Sequence, residues 1–287
     1  MTFTILSDNR TTDNRFAIEH GLSVYVESRG RHLLLDTGAS EIFMQNANTL
    51  GIDLRMVDYV FLSHGHADHT GGLRHFLEIN HQARIIMSNQ VVGRKFYSKR
   101  NYLHSITAHL PLDGIGERLM LVEPGLQSPH HVQVDEGIWV IANIPHEHPL
   151  PSANSNLFVM NEQGQLVSDD FRHEMAIYVD GLLFTGCAHS GLLNILNACP
   201  WSLHTVVGGF HLLDSHRDEP YEQPHELEAL ARCLKDDYPD TTFYTSHCTG
   251  NQAFSIMHDI MGDQLQPFSC GTTCKNVFSD IIKAKKT

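Results

Sequence analysis

Short apolar runs bounded by glycine, proline or polar residues recur along the first half of the chain, which is the pattern of β-strands. The runs that predict strands there are residues 3–6, 22–27, 32–35, 57–62 and 83–87. Residues 22–27 and 32–35 flank Gly30 and predict a hairpin. Residues 57–62 are apolar at nearly every position and predict a strand that is covered on both faces. Residues 71–77 have helical spacing.

The second half alternates between strand and helix patterns. Its predicted strands are residues 139–144, 157–160, 165–167, 176–179, 182–185, 205–208 and 242–245, and its predicted helices are residues 191–198, 225–236 and 251–261. This alternation predicts an α/β (α+β) protein in which helices pack on sheets. We expect a single domain over residues 1–287, with two similar halves (about 1–150 and 151–287) and an insertion with some helix at about 93–129.

Charge and composition limit the partners. The chain has 20 Lys and Arg residues against 33 Asp and Glu residues, a formal net charge of −13. A general nucleic-acid-binding protein needs a basic surface to neutralise phosphates, so no nucleic-acid partner is expected. The absence of a long apolar run argues against a membrane partner and predicts a cytoplasmic protein. Homo-oligomerisation is compatible with the sequence.

Cysteine and histidine contents point in different directions. Six cysteines in a chain of this size do not predict a disulfide framework. Cys270 and Cys274 are interpreted as unpaired thiols rather than a redox pair or a soft metal site. The 21 histidines suggest metal or proton chemistry. Four of the predicted strands run into a histidine at their carboxyl end, where ligand sites of α/β proteins gather; these histidines are His64, His189, His211 and His247.

The densest potential ligands follow the buried strand at residues 57–62, in the sequence His64-Gly65-His66-Ala67-Asp68-His69. Imidazole and carboxylate groups bind zinc and other first-row metals, and the small residues between them permit tight turns. This cluster predicts a site for two divalent metal ions. Zinc is the first expectation, and manganese or iron would accept the same ligands.

This cluster is the signature motif of the metallo-β-lactamase superfamily, which the sequence resembles over nearly its whole length. Residues 34–38 resemble the superfamily's first motif, in which Asp36 would support the metal ligands without binding a metal itself. The resemblance implies a four-layer αβ/βα sandwich with the metals between its two sheets. It also implies which side chains bind the two metals: His64 and His66 the first, Asp68 and His69 the second.

The second half resembles one branch of that superfamily, the metal-dependent hydrolases similar to 7,8-dihydropterin-6-methyl-4-(β-D-ribofuranosyl)aminobenzene-5'-phosphate synthase. Residues 185–191, 208–212 and 246–250 carry this resemblance, which implies that His247 is the last metal ligand. Most hydrolytic members have a bridging Asp where this chain has Cys187. Cys187 is therefore either a thiolate ligand in its place or a buried structural thiol.

The superfamily's third-motif histidine is missing from this chain. Several replacements remain open for the first metal: His189, either of Asp169 and Asp170, or one of the loop residues His146 and His148. A first site that is one ligand short is also compatible with the sequence.

Asp68 and His211 are the predicted catalytic residues. Asp68 would orient the reacting water or accept its proton. His211 lies outside the usual ligand set, and it would donate a proton, bind an oxyanion or simply hydrogen-bond a carboxylate. The basic run at residues 94–100 is interpreted either as a solvated face or as a lid that holds an anionic substrate.

The predicted function is a binuclear metallohydrolase that uses a metal-bridging hydroxide on a small anionic ester, lactone, thioester or phosphoester. One alternative is a transferase like the dihydropterin synthase, in which the metals would position a pterin diphosphate. The other is a metal-loaded sensor that binds a small molecule without turnover.

Overall fold

The structure is a computed structural model that describes residues 1–214 and 221–275. Its α-helices are α1 (Ile42–Leu50), α2 (Ala67–Thr70), α3 (Leu73–Ile79), α4 (Leu192–Ala198), α5 (Pro224–Asp237) and α6 (Asn251–Met261). Its strands are β1 (Thr2–Ser7), β2 (Ser23–Ser28), β3 (Arg31–Leu35), β4 (Tyr59–Phe61), β5 (Arg84–Ser88), β6 (Phe96–Ser98), β7 (His104–Ser105), β8 (Leu119–Val122), β9 (His130–Asp135), β10 (Ile138–Ala142), β11 (Leu157–Met160), β12 (Leu166–Ser168), β13 (Ala176–Val179), β14 (Leu182–Phe184), β15 (Thr205–Val207), β16 (Thr242–Thr245), β17 (Leu265–Pro267) and β18 (Thr273–Lys275).

Two seven-stranded mixed sheets form the centre of the molecule. The first has the order β18-β1-β2-β3-β4-β5-β8, and the second has the order β17-β16-β15-β14-β13-β10-β9. In the first sheet β3, β4, β5 and β8 run parallel, and in the second sheet β14, β15, β16 and β17 do so. Each sheet therefore has a set of parallel strands whose carboxyl ends share one edge.

The sheets pack face to face through apolar side chains. Phe3 and Phe61 of the first sheet belong to the same buried cluster as Val140 and Phe184 of the second. The rings of Phe61 and Phe184 meet edge to face, with centroids 6.4 Å apart. Alternating apolar positions on both sheets supply this interior, which accounts for the short strand patterns in the sequence.

Helices cover the outer face of each sheet. Phe43 of α1 and Phe76 of α3 pack with the first sheet, while α4, α5 and α6 pack on the second through Ile195, Leu234 and Met257. The order of layers is helix, sheet, sheet, helix. The predicted four-layer αβ/βα sandwich is confirmed.

A small third sheet, of order β12-β11-β6-β7, lies beside the sandwich. It contains part of the predicted insertion at 93–129, and the helix expected there is limited to a 3-10 turn at Gly116–Arg118. β8, from the same segment, is an edge strand of the first sheet. The chain passes to the second sheet between β8 and β9, before the boundary between halves that was expected at about residue 150. The division into halves stays a prediction, and residues 215–220 and 276–287 of the predicted domain lie outside the described residues.

Within residues 1–214 and 221–275, no helix combines the length and the apolar character needed to cross a lipid bilayer.

Candidate metal centre

Five loops that follow parallel strands meet at the edge between the two sheets. The first sheet contributes the loops after β3 and β4, and the second contributes the loops after β14, β15 and β16. The backbone turns sharply in these loops: φ is positive at Asp36 (57°), Ala188 (57°), His211 (50°) and His247 (54°). Left-handed non-glycine residues are costly and tend to concentrate at functional sites.

His64, His66 and His189 form the first group of potential ligands. One ring nitrogen of each lies within 4.8 Å of the corresponding atoms of the others. The Nε2 atoms of all three are buried and have no hydrogen-bond partner. Unpaired buried imidazole nitrogens are destabilising unless something binds them. Of the replacements considered for the missing third-motif histidine, His189 is the one that lies beside both His64 and His66.

Burial also keeps these imidazoles neutral. It lowers the pKa of His66 to about 3, with the neighbouring His173 adding to the effect. Burial holds the pKa of His64 and of His189 well below the ordinary value, and nearby histidines contribute in both cases. A neutral imidazole is the form that binds a metal ion.

Asp68, His69 and His247 form the second group, again with ligand atoms within 4.8 Å of one another. The Nε2 atom of His247 lies 3.3 Å from Oδ2 of Asp68 and 3.1 Å from Nε2 of His69. Burial alone would raise the pKa of Asp68, but His69 and His247 outweigh it and hold this pKa well below its usual range.

His247 has the opposite shift. Burial would lower its pKa, but the hydrogen bond to Asp68 and the charges of Cys248 and Asp8 raise it to about 9. Without a cation, His247 and Asp68 form an ion pair. A divalent cation would take the place of this proton.

Cys187 lies between the two groups. Its Sγ is 3.1 Å from Nε2 of His69, and it falls within 4.8 Å of ligand atoms from both His64 and His69. The side chain is buried, and burial raises the pKa of its thiol well above the ordinary value, with Cys248 adding to the effect. A bound metal would favour the thiolate.

Four of these histidines carry a hydrogen bond that sets the position of the ring proton. Asp36 accepts from Nδ1 of His69 at 2.6 Å, and it also accepts from the Oγ of Ser63 at 2.7 Å. Because that hydroxyl proton is used, the Oγ of Ser63 accepts from Nδ1 of His64 at 2.8 Å. Asp36 thus orients two rings, one of them through a serine, and leaves the Nε2 lone pair of His64 free.

Two asparagines orient the other two rings in a matching way. Asn154 accepts from Nδ1 of His189 at 2.9 Å and donates its amide N–H to the carbonyl oxygen of the same residue at 2.8 Å. Asn9 makes the equivalent pair of bonds to His247, at 3.1 and 2.8 Å. Glu174 accepts from the backbone N–H of His189 at 2.7 Å and holds its loop.

Asn9, Asn154 and Glu174 were not predicted from the sequence. The available signals were the position of Asn154 in a segment rich in Pro and Asn, residues 145–156, and that of Asn9 just after the first strand. Neither is specific enough to have found them.

None of the other candidates for the missing ligand forms a group with both His64 and His66. Asp169 binds Nε2 of His173 at 3.0 Å, and this pair lies beside His66 as a further group. Asp170 has a 55% exposed side chain. His146 is exposed, and His148 binds the side chain of Asn197.

His211 lies next to the centre, with its ring centroid 4.2 Å from that of His189. Both of its ring nitrogens are buried and unpartnered. It groups with Cys187 and Cys248, not with a carboxylate, so the suggestion that it hydrogen-bonds a carboxylate is not supported.

The basic run at residues 94–100 forms β6 and its flanks. Phe96 is buried, with its ring 5.6 Å from that of His66, while Lys95 is exposed and Arg94 binds Gln90 at 2.6 Å. The run is therefore part of the small sheet, and its buried Phe96 packs against His66 of the candidate metal centre.

Comparison with known proteins agrees with this geometry. Residues 18–134 match the sequence model of the metallo-β-lactamase superfamily. The crystal structure of Tm1679, a metal-dependent hydrolase of the β-lactamase superfamily, superposes with a TM-score of 0.76 at 26% identity, covering 96% of this chain and 98% of that one. In its sequence and in its fold, the chain is similar to members of the metallo-β-lactamase superfamily.

Two proteins of Methanocaldococcus jannaschii resemble it over most of its length. One is an uncharacterised protein that is 28% identical, covering 89% of this chain and 93% of its own. The other is named 7,8-dihydropterin-6-methyl-4-(β-D-ribofuranosyl)-aminobenzene-5'-phosphate synthase and is 25% identical, covering 95% of both chains. The resemblance to this branch is confirmed.

The divalent cations that are typical of the superfamily fit the residues present. Three buried Nε2 atoms lack partners, and Asp36, Ser63, Asn9 and Asn154 hold ring protons on the opposite nitrogens. The donor set combines imidazole, carboxylate and thiolate, which suits a borderline metal such as zinc.

Proposed function

We propose that this protein is a metal-dependent hydrolase that binds two divalent cations and cleaves a small anionic ester, lactone, thioester or phosphoester. The observation that carries the proposal is the first group: three buried imidazoles that have ring nitrogens within 4.8 Å of one another, each with an Nε2 atom that has no hydrogen-bond partner. The proposed ligands of the two cations are His64, His66 and His189 for one, Asp68, His69 and His247 for the other, and Cys187 between them.

Such cations, when bound, supply Lewis acidity and lower the pKa of a water molecule so that hydroxide forms near neutral pH. The role of Asp68 is to orient that water or accept its proton. Its carboxylate suits the orienting role because His69 and His247 keep it ionised, so that it accepts a hydrogen bond, and its side chain is 20% exposed and therefore reachable by solvent.

The proposed substrate approaches beside Asp68. The exposed His20 lies there, 3.5 Å from Oδ2 of Asp68, with its ring stacked on that of His247. A cationic centre whose Asp68 side is partly exposed to solvent favours a negatively charged substrate. The strongly acidic chain makes a small metabolite a better candidate than a nucleic acid.

The first test is the metal content of the purified protein by elemental analysis, with His66→Ala and His81→Ala as matched variants. His81 is exposed and belongs to none of the ligand groups. About two or more cations per chain are expected for the unmodified protein and for His81→Ala, with loss of the first cation in His66→Ala. Equal metal content in all three proteins would contradict the proposed site.

The second test is turnover of a panel of ester, lactone, thioester and phosphodiester substrates by the metal-loaded protein. Hydrolysis that disappears in His66→Ala and persists in His81→Ala is expected. Normal metal content without turnover on any substrate would instead favour a metal-loaded binding protein.

The similarity to the dihydropterin synthase favours a second candidate, a transferase whose metal centre positions a pterin diphosphate. Thermal unfolding in the presence of a dihydropterin separates the two, because a ligand that binds only the native state raises stability. An increase in Tm with the pterin and none with simple esters would favour the transferase.

A further inference from the structure

Three neighbouring parallel strands of the second sheet each deliver one metal-binding side chain to the same point. Cys187 follows β14, His211 follows β15 and Cys248 follows β16. One ligand atom of each lies within 4.8 Å of the other two. His211 and Cys248 play no part in the two cation positions already proposed.

All three side chains are at least nine-tenths buried, with exposed fractions of 3% for Cys187, 8% for His211 and 5% for Cys248. Neither ring nitrogen of His211 has a hydrogen-bond partner, and all six cysteines are free thiols. An imidazole buried with both nitrogens unpaired loses its hydration without compensation. A cation bound between this imidazole and the neighbouring sulfur atoms would pair it.

The backbone is arranged for these side chains to converge. His211 has φ of 50°, and its backbone N–H donates to Sγ of Cys248 at 3.3 Å. Gly209 precedes it, and a Cβ at that position would overlap the same Sγ. Backbone N–H groups that donate to sulfur stabilise metal-bound thiolates.

We propose that Cys187, His211 and Cys248 form a third cation position, which takes a thiophilic divalent metal such as zinc and shares the thiolate of Cys187 with the proposed pair. The thiolate of Cys248, together with the shared thiolate of Cys187, offsets part of the charge of this cation. Two sulfurs and one imidazole nitrogen are a ligand set of zinc sites that keep a fourth position open.

The test is titration of the metal-free protein with Co²⁺, which reports the number of bound cations and gives a near-ultraviolet charge-transfer band when a thiolate binds. The unmodified protein is expected to bind three equivalents. Cys248→Ala is expected to bind two and to lose part of the band. Cys199→Ala, whose half-buried thiol belongs to none of the ligand groups, is expected to bind three with the band intact.

His211→Ala is the second variant, and it tests the third cation position if Cys248→Ala does not fold. It is expected to lose the same equivalent. Binding of only two equivalents by the unmodified protein, or an unchanged count and band in the folded variants, would overturn the proposal. His66→Ala separates this result from the proposed function: it should lose the first cation and keep the part of the band that depends on Cys248.

Discussion

At the scale of single residues, the centre depends on the side chains that orient its histidines. Each partner binds Nδ1 of one ring and thereby directs the Nε2 lone pair inward. Such partners, although they do not touch the metal, typically change metal affinity 10- to 100-fold. Their contribution is therefore measurable one residue at a time.

Replacing Asn154 by Ala is expected to weaken binding of the first cation by about 10- to 100-fold, because His189 would lose both the partner of its Nδ1 and the bond to its carbonyl oxygen. Competition with a chelating dye measures the affinity. Asn48→Ala, at an exposed position of α1, is the matched control and should leave the affinity unchanged. An equal affinity in the two variants would show that Asn154 does not position the ligand.

The sequence identified the ligand candidates far better than their partners. His64, His66, Asp68 and His69 stand within six residues, so the chain itself brings them together. Asn9 and His247 are 238 positions apart, and they meet only because both lie at the edge between the sheets. No local pattern carries that information. Cys248 lies within the motif at residues 246–250, but its proximity to His211 depends on the pairing of β15 and β16.

At the scale of elements, the strands were predictable because their apolar runs are short and bounded by turn residues. Helix α1 was not predicted, and the structure shows why: the side chain of its N-cap residue Glu41 makes no capping hydrogen bond, and no acidic residue lies in its first turn. A buried polar contact stabilises it instead, since Asn46 donates to the carbonyl oxygens of Leu6 and Ala17. The edge strand β9 was also missed, because its two valines give only a weak alternation.

The turn after β14 places Gly186 directly against Ser63, which follows β4 of the first sheet. Gly186 has φ of 60°, and a Cβ there would overlap Oγ of Ser63, the group that orients His64. Gly186→Ala is expected to destabilise the protein by about 2–4 kcal/mol, from backbone strain and overpacking together. Urea unfolding measures the loss, and metal content should fall as well.

Gly30→Ala is the control for that substitution. Gly30 also has a positive φ, of 74°, but a Cβ there has no atom within 4 Å. Its cost is expected to be the strain alone, about 1 kcal/mol, with metal content unchanged. Equal losses for Gly186→Ala and Gly30→Ala would mean that the contact with Ser63 has no influence on the centre.

At the scale of the whole molecule, the proposed cations would connect the two sheets. The loop after β4 and the short helix α2 that follows it carry His64, His66, Asp68 and His69, whereas loops of the second sheet carry Cys187, His189 and His247. Each of the two cations would bind side chains from both sheets. Its binding free energy would therefore stabilise the packing of one sheet on the other, and not merely the local loops.

Removing the cations with a chelator is accordingly expected to lower the stability of the entire sandwich. At a free cation concentration of 100 times Kd, one site that exists only in the native state adds about 2.7 kcal/mol to the free energy of unfolding. Urea unfolding followed by far-ultraviolet circular dichroism and by tryptophan fluorescence should show a single transition that moves to lower urea on chelation. His81→Ala should behave in the same way, whereas His66→Ala should respond less.

Trp139 lies on β10, and Trp201 packs against it on the face of the second sheet that points away from the first sheet. The fluorescence of these two residues therefore reports on more than the ligand loops. A chelator that left both signals unchanged would show that the two sheets hold together without the cations.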